Sequence, residues 1–198
     1  MSDISDERQI LNLVHRYAEC VDDADFDGVS ALFEHAEFHL EGANGQRGAQ
    51  VGDVMRRTVA LHDGSPRTKH VTTNAIIDID GHTATCRSYF TVLQATATLP
   101  LQVVITGRYR DRFEKVDGTW RFADRAVVIE QVGDLSAHLR HGDASGIDGL
   151  DRRNGIALDT GDLHQPRHRV TGQPQVMLQA NFRSVFYLPR RTAQHFGQ

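Results

Sequence analysis

Apolar residues recur at helical spacing over residues 6–21, where Ile10, Val14, Tyr17 and Val21 form a stripe widened by Leu11 and Ala18. Ser5 stands in the N-cap position, and acids fill the first turn behind it. A second short helix is predicted from Phe26 to about Phe33, with Asp25 as its cap. Ala36 to Leu40 reads as a short strand closed by the turn EGANGQRG, and Ala49 to about Leu61 as a third helix ahead of the breaker HDGSP. From Thr68 onward the period changes to two. KHVTTNAIIDI and TATCRSYFTVLQATA flank Asp80-Gly81, and LQVVITGRYRDRFEK and TWRFADRAVVIEQV flank Asp117-Gly118, so each pair predicts a β-hairpin. Helices followed by a long meander make an α+β domain. The length and alternation of the strands predict a strongly curved antiparallel sheet with one face covered by the N-terminal helices. A sheet wrapped in this way encloses a pocket of the kind that holds small molecules.

After about residue 135 the pattern dissolves into GDASGIDGLDRRNGIALDTGDLHQPRHRVTGQPQ, rich in Gly, Asp and Pro. The expected organisation is a domain over residues 1–135 and a partly irregular extension over 136–198. Its apolar piece VMLQANFRSVFYL is expected to dock on the domain or on a neighbouring subunit. A length of 198 residues suits one domain with such an extension. The net charge of −4 argues against a nucleic-acid surface, which needs a basic footprint. Arg108, Arg110 and Arg112 alternate along one strand face and read as a solvated or interface stripe. No apolar run approaches the roughly 20 residues that span a bilayer, so no membrane partner is expected. The polar start MSDISDERQ does not read as a signal peptide, and two cysteines, Cys20 and Cys86, fit a reduced cytoplasmic setting. His138, His141, His164 and His168 in the extension lack an organised acid or cysteine set, so no metal is expected there. No P-loop, dinucleotide fingerprint or nucleophile elbow is present in the sequence.

The candidate chemistry starts in RYAECVDDADFD. Asp23, Asp25 and Asp27 read as solvated charge and a helix cap. Asp22 follows Val21 at the end of the first helix, where the macrodipole disfavours a negative charge, so it needs a compensating partner or keeps a raised pKa. Tyr17 lies on the buried stripe. His70 begins the first long strand, and Asn74 shares its face by alternation. Arg125 stands between Ala123 and Val127 on one strand face, which implies a snorkelling edge position or a buried partner. Taken singly, each of these residues also has an ordinary structural reading: a core tyrosine, a structural histidine, a paired arginine. Phe38, Met55, Phe90, Ile105, Tyr109, Val127 and Ile129 are candidate pocket lining.

Together, the stretch ILNLVHRYAECVDDADFDGVSALFEHAEF, the strand KHVTTN and the hairpin DGTWRFADR resemble the SnoaL-like branch of the nuclear transport factor 2-like superfamily, over about residues 6–135. The branch includes proteins like scytalone dehydratase, bile-acid 7α-dehydratase and hexachlorocyclohexane dehydrochlorinase. The resemblance implies a cone-shaped α+β barrel and an Asp–His pair made of Asp22 and His70. It further implies assistance from Tyr17 and from Arg125 near the aspartate or the substrate. The expected function is a cofactor-independent lyase or isomerase acting on a hydrophobic small molecule. His70 would remove an acidic proton, Tyr17 would hydrogen-bond the substrate oxygen, and Arg125 would neutralise Asp22 or anchor a polar end. A ligand-binding or assembly subunit like the small subunits of aromatic-ring dioxygenases is the alternative, as is a cyclase or epoxide hydrolase on the same scaffold. A homodimer or homotrimer is expected.

Overall fold

The computed structural model describes residues 4–140. The apolar piece of the extension, with His141, His164 and His168, lies outside the described residues. The elements run α1 (Asp6–Asp22), α2 (Phe26–Leu32), β1 (Glu37–Leu40), β2 (Gln46–Arg47), α3 (Ala49–Thr58), β3 (Thr68–Asp80), β4 (Thr83–Gln94), β5 (Gln102–Val116) and β6 (Thr119–Val132). The fold is α+β, as the change of period predicts. Ser5 caps α1 by accepting the Arg8 N–H, and Asp25 caps α2 by accepting the Gly28 N–H at 2.8 Å. The stripe Ile10, Val14, Tyr17 and Val21 is buried.

The six strands form one sheet in the order β2-β1-β6-β5-β4-β3. It is antiparallel except where β1 runs parallel to β6, and it does not close on itself: the helices cover its concave face instead. Register shifts at Thr73/Ile76, Val92/Leu93, Thr106/Gly107 and Arg112/Phe113 supply the bends that curve it. Gly107 sits at one of them, where an added Cβ would lie 2.1 Å from the Val128 carbonyl oxygen, so only glycine lets the strands approach. The second hairpin turns on Asp117 and Gly118, both at positive φ, the twist that a two-residue turn requires.

Register places Phe38, Arg125 and Asp111 side by side on β1, β6 and β5, with Leu40, Val127 and Tyr109 forming the next row inward. Arg125 is fully buried. Its Nε and Nη2 donate to the two Asp111 oxygens at 2.7 Å each, a fork-to-fork pair. Nη1 has no hydrogen-bond partner among the described residues; the guanidinium instead lies 4.4, 4.1 and 4.8 Å from the ring centroids of Tyr17, Tyr109 and Phe122. Burial works against the charge, but the Asp111 carboxylate outweighs it and keeps Arg125 protonated.

The third helix stops at Thr58 rather than near Leu61 because another segment claims the backbone there. Residues 136–140 turn back onto it: Arg140 N–H donates to the Thr58 carbonyl, Arg140 Nε to the Val59 carbonyl, and Ala60 N–H to the His138 carbonyl. Val59 and Leu139 form an isolated bridge. These first residues of the extension are therefore packed on the domain.

Two outcomes are expected in urea unfolding. Replacing Arg125 alone with Met strands a buried carboxylate and lowers stability by about 3–5 kcal/mol, whereas Arg125→Met combined with Asp111→Leu recovers most of the loss. The second concerns His138, which is buried and held neutral in the fold, its pKa lowered from 6.5 to about 4 by desolvation and then by His70. Between those values the unfolded chain binds more protons than the folded one, so stability is full above pH 6.5 and falls as pH approaches 4. The loss attributable to His138 is about 3 kcal/mol, and His138→Phe should flatten the profile across that window.

Candidate active site

The C-terminal end of α1 and the first residues of β3 meet at one carboxylate. Asp22 is buried, and three donors converge on it: Thr68 Oγ1 at 2.8 Å and His70 Nδ1 at 2.7 Å reach Oδ1, while the His70 backbone N–H reaches Oδ2 at 2.9 Å. Lys69 Nζ stands 3.9 Å from Oδ2 at the solvent side. Burial alone would raise the Asp22 pKa. The hydrogen bonds donated by His70 and Thr68 outweigh that and hold it below the ordinary carboxylate value. An ionised Asp22 accepts from Nδ1–H and fixes the tautomer that leaves Nε2 of His70 bare.

His70 opens into a cavity of about 100 Å³. Seven of the residues expected to line a pocket do line it: Phe38, Met55, Phe90, Ile105, Tyr109, Val127 and Ile129. Tyr17 and His70 join them, and Val21, Leu40, Thr58, Val59, Val92 and His138 complete the wall. Tyr109 stacks on Phe90 at 4.5 Å, and the Tyr17 and Tyr109 hydroxyls are hydrogen-bonded to each other. Burial pushes Tyr17 up to about 12 and Tyr109 well above its ordinary value, so both hydroxyls stay protonated.

Two expectations need correction. Asn74 does not share the His70 face: it lies in the Thr73/Ile76 irregularity with φ of 55°, is exposed, and is absent from the cavity wall. The bulge resets the alternation on which the expectation depended. Arg125 does not neutralise Asp22; both of its charged hydrogen bonds go to Asp111, and it reaches the cavity only through the Tyr17 and Tyr109 rings that cover it. The carboxylates of the opening aspartate run divide as predicted, with Asp27 exposed and paired to Arg56 and Asp25 acting as a cap.

Thr68 and His138 were missed. Thr68 had a usable signal, since it stands two residues before His70 on the same strand face. His138 had none, because it lies beyond the last periodic segment. Among the described residues no group of three or more His, Cys, Asp or Glu side chains is placed to hold a metal ion. No helix among them is long and apolar enough to cross a membrane.

The profile of the SnoaL-like domain matches residues 2–126. A comparison with curated protein sequences gives no match. Among solved structures, a Mycobacterium tuberculosis protein of unknown function is 31% identical with a TM-score of 0.53, over 63% of this chain and 71% of that one. A candidate scytalone dehydratase from Novosphingobium aromaticivorans is 24% identical with a TM-score of 0.52, over 65% of this chain and 86% of that one. The β subunit of a candidate aromatic-ring-hydroxylating dioxygenase from the same organism is 17% identical with a TM-score of 0.51, over 66% and 93%. With the profile covering most of the described fold, the chain belongs to the SnoaL-like domain family, within the nuclear transport factor 2-like superfamily.

Proposed function

We propose that the cavity is the active site of a cofactor-independent lyase or isomerase that removes an acidic proton from a small, largely apolar molecule. The observation that carries this is the 2.7 Å bond from His70 Nδ1 to a buried Asp22, made beside a cavity that His70 itself lines. Nε2 of His70 takes the proton from carbon, and the electron pair of the broken C–H bond moves into a new double bond. In an elimination the leaving group departs with its own bonding pair; in an isomerisation the imidazolium returns the proton to another carbon. Asp22 stabilises that imidazolium without accepting its proton. Tyr17 and Tyr109 present protonated hydroxyls to the polar end of the substrate. Arg125 acts as a positioning residue behind their rings, held there by Asp111.

Apart from Thr58 and His138, the rest of the wall is aliphatic and aromatic, which suits a hydrophobic substrate. Its volume of about 100 Å³ is below the roughly 150 Å³ of an apolar cavity that encloses benzene. A fused-ring substrate therefore requires the wall to yield, and Met55, with its flexible thioether, is the side chain best able to do so.

A scaffold role is the second reading, favoured by the dioxygenase β subunit among the fold neighbours. Fold alone does not choose between the two. The dyad favours catalysis, because an assembly subunit has no need of an imidazole oriented by a buried carboxylate and opening into a cavity.

The test is deuterium exchange at the α-carbon of small cyclic ketones in D2O, followed by NMR. The wild-type protein should accelerate exchange, with His70→Ala and Asp22→Asn each slowing it by about 100-fold or more. Asp22→Asn also replaces one of the two acceptor oxygens that tie α1 to β3 with an N–H donor, so its thermal unfolding is measured alongside and the rate is read below its transition. Exchange by the folded His70→Ala protein at the wild-type rate would sink the assignment.

A further inference from the structure

The cavity wall carries a second imidazole. His138 sits on the turn of residues 135–140, and main-chain bonds fix its position. The Ala137 carbonyl accepts from His62 Nε2 at 2.8 Å and from Gln94 Nε2 at 3.1 Å, and that Gln94 nitrogen also donates to the Pro66 carbonyl. The His138 N–H and carbonyl are both used, by Leu135 and Ala60. The ring itself is different. Nδ1 is sealed from solvent with no hydrogen-bond partner, and Nε2 makes no hydrogen bond among the described residues. Nδ1 is thus an unmet buried position, and Nε2, which is not sealed, is the nitrogen left free to take a partner.

Its chemistry follows from which nitrogen is sealed. An orphaned buried N–H is rarer, and costs more, than an orphaned acceptor, so the favoured tautomer leaves Nδ1 bare and puts the proton on Nε2. His138 lines the cavity, and Nε2 is the ring nitrogen that is not sealed. Desolvation keeps the ring neutral. The cavity therefore faces a ligand with a bare Nε2 on His70 and an Nε2–H on His138.

We infer that His138 is the residue that binds the reacting oxygen: its Nε2–H donates to the oxygen of a small carbonyl compound whose neighbouring C–H faces His70. This rests on the proton-transfer reading of the site and narrows its substrate class to molecules with an oxygen-activated C–H. As the C–H bond breaks, the proton moves to His70 Nε2 and the pair forms the enolate double bond. The carbonyl π pair moves onto oxygen, where the neutral imidazole N–H stabilises it without transferring its proton.

The test compares cyclopentanone with cyclopentane, equal in ring size and differing in the oxygen, by NMR titration of the full chain. The wild-type protein should bind the ketone more tightly than the alkane, and cyclopentanone alone should shift the His138 imidazole 15N resonances. His138→Phe should weaken cyclopentanone by about tenfold and leave cyclopentane unchanged, the scale of one lost hydrogen bond. His138→Gln, which keeps an N–H donor near the Nε2 position, should restore most of the difference. An unchanged ketone affinity in His138→Phe, or wild-type His138 resonances unmoved at saturating ketone, overturns the inference; the second measurement decides if the Phe variant does not fold. His70→Ala separates the two ideas. It should keep the preference for ketone over alkane while losing deuterium exchange, and undiminished exchange there would defeat the proton-transfer reading without touching the binding result.

Discussion

The Asp22 carboxylate is the interaction on which the site depends. A negative charge at the C-terminal end of a helix, removed from solvent, is opposed twice: by the helix dipole and by desolvation. It is tolerated because Thr68, the His70 main chain and the His70 ring all donate to it. Those donors belong to β3, so the same bonds that neutralise the charge also fasten α1 across the start of that strand. The tether and the orientation of the His70 ring are one structure. Removing the carboxylate loosens the helix and frees the imidazole together.

A second charged pair, Arg125 with Asp111, has a different place in the molecule. It is fully enclosed, carries no solvent-facing atom, and is wrapped by aromatic rings. A pair so deep is weak evidence of stability gained relative to an apolar core. Its consequence is geometric: Tyr17 and Tyr109 rest on the guanidinium, and their hydroxyl ends meet in the cavity wall. The concave face is thus graded, from an ion pair under aromatic rings, through two tyrosine hydroxyls and an aliphatic wall, to the histidines. The grading follows from strand register, since Arg125, Val127 and Ile129 are successive inward positions on β6.

Much of this was legible from the chain. The period-3.6 stripe gave α1 with its buried face, the Asp25 cap gave the start of α2, and the alternating segments gave the four long strands. Asp22 stood out because a carboxylate next to Val21 at a helix end demands a partner. Alternation also grouped Ile105 with Tyr109, and Val127 and Ile129 with Arg125, as faces toward the pocket. The misses have specific causes. Strand alternation carries a prediction only as far as the next bulge, and the irregularity after Thr73 turns Asn74 outward. The two-residue β2 is too short to leave a period in the sequence. Sequence likewise left Arg125 either a snorkelling edge position or a buried partner, and did not point to Asp111, rather than Asp22, as that partner.

The sequence by itself determined local structure and facing, because helix and strand periods are properties of consecutive residues. It determined that one aspartate and one tyrosine share the buried side of α1 at the point where the helix ends. Tertiary structure decided the pairings. Asp22 meets His70 across 48 positions, Arg125 meets Asp111 across an antiparallel pair of strands, and His138 reaches the cavity only because Gln94, His62 and the end of α3 hold its turn down. Such contacts join residues whose own neighbours say nothing about one another, so they become visible only when the chain has closed around them.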